Sequence, residues 1–151
     1  MVTPVNDAVR AVFDLYNTMT DELAAAHGTA EFEQRSIDDG WKEIPGRVAS
    51  AETLLDGLIH DKSNRHQHRN ARIVKSALGE LYEALQERCD SQSAYLTVEA
   101  ADKEVIADGG SPDLVSLDRA ADRISEAGKR MASDRSSLLY DLENLNRDLK
   151  G

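Results

Sequence analysis

Apolar residues recur along this chain in alternating steps of three and four, the spacing that keeps one helical face apolar and lets long helices pack lengthwise. The longest run is Leu114, Leu117, Ala121, Ile124, Gly128, Met131, Arg135, Leu138, Leu142, Leu145 and Leu149. It predicts a helix over about 112–149. A second run, Val5, Val9, Val12, Tyr16, Met19, Leu23 and Ala26, predicts a helix over about 4–27. Thr3 is placed to cap it, Pro4 occupies its first position and Gly28 ends it. A third run, Ile37, Trp41, Ile44, Val48, Ala51, Leu55 and Leu58, predicts a helix over about 30–61. Its phase survives Gly40 and Pro45, and because an interior proline costs roughly 3 kcal/mol, a kink is expected near 40–45.

The fourth run starts after the polar stretch DKSNRHQHRN and predicts a helix over about 66–108. Val74, Leu78, Leu81 and Leu85 open its seam, but the next positions are Arg88, Gln92, Tyr95, Glu99 and Asp102. Cys89, Leu96, Val98 and Val105 lie off that seam, so a break or a change of inward face is expected near 90–97. Gly109-Gly110 then stops the helix, with Ser111 as the next N-cap and Pro112 at the first helical position.

Two reversals imply two αα-hairpins. About Gly28, Val9 falls opposite Val48, Val12 opposite Ile44, Tyr16 opposite Trp41 and Met19 opposite Ile37. About Gly109-Gly110, Leu78 falls opposite Leu142, Leu81 opposite Leu138, Leu85 opposite Arg135 and Gln92 opposite Gly128. The expected fold is an all-α, antiparallel four-helix bundle of long coiled-coil-like helices, one domain over 1–151, with the second hairpin longer. Arms of roughly 25 and roughly 38 residues span about 38 and about 57 Å, so the second hairpin should overhang the first by about 20 Å.

Composition supports helices: aromatic residues make up 5% and hydrophobic residues 40%, which suits packing through Leu, Val and Ala. A net charge of −10 argues against general nucleic-acid binding, since phosphates would be repelled over most of the surface. The one cysteine, Cys89, cannot form an internal disulfide. With no apolar leader or span in the sequence, a cytoplasmic location without membrane association is expected.

The overhang holds more apolar side chains than a two-helix seam can cover, and Leu96, Val98, Val105, Ile106, Leu114, Val115 and Leu117 are the expected partner interface. Lys62, Arg65, Arg69, Arg72 and Lys75 follow one another with no acid between Lys62 and Gly79. They are the candidate surface for an anionic partner. Without an aromatic residue among them to stack on bases, nucleic acid is the less favoured occupant. Arg88 and Arg135 would sit in the second seam and need acids, with Asp90, Glu126 and Asp134 nearest in sequence. Arg135 is expected to set register there, as single polar seam residues do in coiled coils.

Catalytic chemistry finds little support. His60, His66 and His68 are weak metal candidates whose spacing spreads them over different helix faces. Cys89 has no nearby histidine, and Gly109-Gly110 lacks the lysine of a phosphate loop. Tyr95 and Glu99 match the YxxxE spacing of type VII secretion substrates. The Trp-x-Gly turn of those proteins is missing, since Gly40-Trp41 runs the other way, and no family is assigned. The expectation is a non-enzymatic interaction or assembly protein without a cofactor, acting through bundle surfaces and self-associating as a homo-oligomer. Two alternatives stand beside it: an acidic binder or inhibitor of a basic site, and binding of nucleic acid or another anionic partner through the 62–75 segment.

Overall fold

The computed structural model describes residues 4–25, 43–61 and 65–150; some side chains within these, Tyr16 and His66 among them, lie outside the description. Four helices are described: α1 (Pro4–Ala25), α2 (Ile44–His60), α3 (Arg65–Ala107) and α4 (Leu114–Lys150). They pack on one another as an all-α helical bundle with no strand among the described residues. Helix α2 lies between α1 and α3, α4 runs along α3, and α1 only brushes α4.

The core is the set of seams. Val9 and Val12 of α1, Ile44, Val48, Ala51 and Leu55 of α2, Val74, Leu78, Leu81 and Leu85 of α3, and Met131, Leu138, Leu142 and Leu145 of α4 form one buried cluster. Phe13 joins them from off the predicted seam. Each such Leu, Ile or Val contributes roughly 1.5–3 kcal/mol by leaving water. Helices α1 and α2 pack on each other, and Nη1 of Arg47 donates to the carbonyl of Ala11 at 3.2 Å.

The described part of α2 begins at Ile44, with Pro45 in its first turn, where a missing N–H removes no helical bond. The expected start near residue 30 and most of the expected kink, with Trp41 and Ile37, lie outside the described residues. At the other end Asp61 turns extended and its N–H reaches the carbonyl of Leu58 at 3.4 Å.

Helix α3 is unbroken through the expected break at 90–97. The polar seam stays inward instead: Ser91 and Gln92 are fully buried and Arg88 and Asp102 nearly so. Helical neighbours satisfy part of that polarity, since Nη1 of Arg88 donates to Oε1 of Gln92 at 3.0 Å and the Ser91 hydroxyl donates to the Arg88 carbonyl at 2.8 Å. No change of face was needed to shelter these groups.

Helix α4 starts two residues later than expected, and its cap is Asp113 rather than Ser111. The Asp113 Oδ1 accepts the N–H of Ser116 at 3.1 Å and its Oδ2 accepts the Ser116 hydroxyl at 2.7 Å. The inward face of α4 also drifts. Towards the turn Ala120 and Ala127 are buried, while Ala121 is exposed and Gly128 half-buried. A straight helix loses about 20° per heptad against a strict 3.5-residue repeat, so the inward position slides to the neighbouring residue.

With 43 residues α3 is about 64 Å long, against about 26 Å for the 17 residues of α2. Among the described residues the α3–α4 hairpin therefore runs far beyond α2, with its turn at the end away from α2.

Candidate docking surfaces

The turn is built from hydrogen bonds that leave its side chains outward. Gly109, with φ 85°, is the left-handed residue just past α3. Its N–H reaches the carbonyl of Ile106 at 3.0 Å and that of Gly110 reaches Val105 at 2.8 Å, the paired bonds of a Schellman motif. Asp102 ties the next segment down, its Oδ1 accepting the N–H of Asp113 at 3.1 Å. The backbone is thus satisfied from within.

The side chains beside the turn are not covered. Val105 is 40% exposed, Ile106 54%, Leu114 62% and Val115 61%, while Leu96, Val98 and Leu117 are half-buried. Four of the seven expected interface residues are thus among the large apolar side chains most open to solvent. Around them Glu104, Asp108, Asp113 and Asp118 are exposed, and Lys103 pairs with Glu99 at 3.3 Å. Hydrogen bonds from Ser116, its hydroxyl first and its N–H second, hold the Asp113 carboxyl below its usual range. The tip is apolar at its centre and acidic at its rim.

At the far end of α3 the basic segment divides. Lys75 leaves the exposed set: its Nζ lies 2.6 Å from Oδ1 of Asp56 on α2, a hydrogen bond that raises its pKa. Arg65, Arg69 and Arg72 are exposed, on one helix face by their spacing, and none forms an ion pair with a described residue. Lys62 lies outside the described residues. Beside the arginines Ile73 is 38% exposed. A shallow groove of about 500 Å³ lies between α2 and α3, with Ile59, Gly79 and Ser76 along it, Arg72 and Lys75 on one side and Glu52 and Asp56 on the other.

The histidines do not assemble. His60 is exposed, and Nε2 of half-buried His68 is bonded to the carbonyl of Asp61. No group of metal-ligating side chains occurs among the described residues. Cys89 is half-buried against the core.

In the second seam, Arg88 is buried with Gln92 as a partner and Arg135 is half-buried. Of the acids expected to serve them, Asp90 and Glu126 are exposed and Asp134 lies 3.5 Å from Arg130. Two ion pairs join α3 to α4, Arg123 with Glu87 at 2.8 Å and Arg130 with Glu83 at 3.4 Å. The Arg123 hydrogen bond holds the Glu87 carboxyl below its ordinary range, whereas burial raises that of Asp141.

Pattern reading missed two features. Asp102 appeared only as a polar seam residue, yet it closes the turn, and its Oδ2 is buried with no hydrogen-bond partner among the described residues. Tyr140, 65% exposed, and Leu139, 38% exposed, form a smaller apolar spot on the outer face of α4. Their position off the seam was the available signal.

No described helix is long and apolar enough to cross a membrane. No protein-family model matches the chain, and no curated protein or solved structure matches it either.

Proposed function

We propose that this protein is a non-catalytic interaction module that self-associates, with the α3–α4 tip as its docking surface. The observation that carries this reading is the exposure of Val105, Ile106, Leu114 and Val115 around a turn whose backbone already bonds within itself. Apolar side chains in such a position leave much of their surface in water in the single chain, and they supply binding energy when a partner removes it. The acidic rim adds selectivity rather than raw affinity.

The test is sedimentation of the full chain over a range of concentrations and salt. The mass of the wild type should rise with concentration, and Val115→Glu should hold it at the monomer value. Glutamate is tolerated in the first turn of a helix, where the dipole favours negative charge, so the change acts on docking rather than folding. A wild type that stays monomeric at every concentration and salt level overturns the proposal.

A second reading rests on Arg65, Arg69 and Arg72, whose exposure on one helix face favours an anionic partner such as nucleic acid. It predicts a mobility shift that weakens steeply with salt and disappears when all three arginines become glutamate.

A further inference from the structure

Helix α3 carries charge of opposite sign at its two ends. Its first turns hold Arg65, Arg69 and Arg72, and its last turns, with the start of α4, hold Glu104, Asp108, Asp113 and Asp118, all exposed. Each end also has its apolar component: Val105, Ile106, Leu114 and Val115 stand at the acidic end, Ile73 and the Ile59-lined groove at the basic end. The knobs are at one end and the recess is at the other.

Along a helix about 64 Å long these surfaces cannot meet within one molecule. Two tips facing each other would set eight exposed carboxylates against one another, offset in each copy by Arg119 and by Lys103, which is already paired with Glu99. A tip against the basic face sets acids against arginines that have no ion pair among the described residues. We infer that the occupant of the tip is a second copy of this chain, docked head to tail, with Leu114 and Val115 entering the groove between α2 and α3 and the rim carboxylates meeting Arg65, Arg69 and Arg72. This rests on the self-association proposed above and names its surfaces. Glu52 and Asp56 lie across the groove from Arg72, which directs the acidic rim towards the α3 side. Because the two surfaces differ, the contact is heterologous, and copies add in series instead of closing as a two-fold dimer.

The test uses two full-length variants and their mixture. Val115→Glu disables the tip and leaves the basic face; Arg65→Glu with Arg69→Glu and Arg72→Glu disables the basic face and leaves the tip. Circular dichroism checks the helix content of both, and carboxylates in the first turns of α3 suit its dipole. The wild type should form species larger than a dimer, weakening as salt rises. Each variant alone should be monomeric, and an equimolar mixture should give a one-to-one heterodimer that grows no further. If the arginine variant associates like the wild type while Val115→Glu does not, the tip remains an interface and head-to-tail docking is overturned. If the two variants stay monomeric when mixed, it is overturned as well. A wild type that never associates removes both this inference and the function it rests on.

Discussion

The main-chain N–H of Asp113 donates to Oδ1 of Asp102 at 3.1 Å, fixing the start of α4 to the last turns of α3. The second Asp102 oxygen is buried with no hydrogen-bond partner among the described residues, and the residue as a whole is only 7% exposed. Its charge is therefore of less use than its one acceptor. Asp102→Asn keeps an acceptor and removes the buried charge, so it should melt at or above the wild-type temperature. Asp102→Ala loses the acceptor and should cost about 1–2 kcal/mol. Thermal melts of both variants give the order; an alanine variant as stable as the asparagine one would mean the bond contributes nothing.

The turn makes different demands on its two glycines. Gly109 sits at φ 85°, where a side chain is strained although nothing lies within 4 Å of an added Cβ. Gly109→Ala should cost about 1–2 kcal/mol. At Gly110 the obstacle is space: an added Cβ would lie 2.7 Å from Cγ1 of Val105 and 3.2 Å from its carbonyl oxygen. Gly110→Ala should become milder when Val105→Ala accompanies it, whereas the Gly109→Ala penalty should not change. Denaturation of the two glycine variants, of Val105→Ala and of the two doubles separates strain from collision.

These two positions show where the sequence was readable. Gly109-Gly110 announced the stop of α3, and Val9 and Val12, Ile44 to Leu55, Val74 to Leu85 and Leu138 to Leu145 are buried at the seam positions their spacing gave, because burial of a helical stripe is a local and additive requirement. The cap of α4 was not readable in the same way. Pro112 favoured Ser111, but the choice falls to Asp113 because Asp102, eleven residues earlier, takes its N–H and Ser116 returns to its carboxylate. The expected break in α3 failed for a related reason. A seam of Arg88, Gln92 and Asp102 looks too costly to bury until the arginine and the glutamine, one turn apart, are seen to bond each other. The tip was legible as surplus apolar residues; the splitting of the basic segment, with Lys75 taken up by Asp56, depended on how α2 packs.

Gln92 is fully buried and accepts from Arg88, so the two should behave as a unit. Gln92→Leu alone leaves a buried guanidinium short of one acceptor and should destabilise by about 1–3 kcal/mol. Arg88→Met with Gln92→Leu replaces polar groups by apolar ones of similar size and should recover most of that loss. A double-mutant cycle from urea unfolding measures the coupling, and strict additivity would count against a shared role.

Acid should act in opposite senses on two carboxylates. Glu87 is held below its ordinary pKa by Arg123, so its contribution is fully present above the unfolded value and is lost as pH falls through the folded one. Arg123→Gln should lower stability at neutral pH, and its gap from wild type should close below about pH 4. Asp141 is raised by burial, so its contribution is present below the unfolded value and is lost as pH rises through the folded one. Asp141→Asn should therefore stabilise at neutral pH, with the gain vanishing in acid. Unfolding at pH 3, 5 and 7 reads both signs, and parallel pH profiles for the two variants would contradict the assignment.

One helix carries both the core and the exposed tip, and truncation should separate them. Leu142 of α4 is 1% exposed within the main cluster, whereas Leu114 at its start is 62% exposed. Leu142→Ala removes buried methylenes and leaves a cavity, which should cost about 2–5 kcal/mol. Leu114→Ala removes groups already in water, and at concentrations where the chain is monomeric it should change stability by no more than about 0.5 kcal/mol. At concentrations where copies associate, the same Leu114→Ala should weaken association while leaving the monomer's unfolding unchanged. Measuring both variants by denaturation when dilute and by sedimentation when concentrated decides the matter. A dilute Leu114→Ala protein destabilised as strongly as Leu142→Ala would show that the tip leucine is packed within its own chain and is not available to a partner.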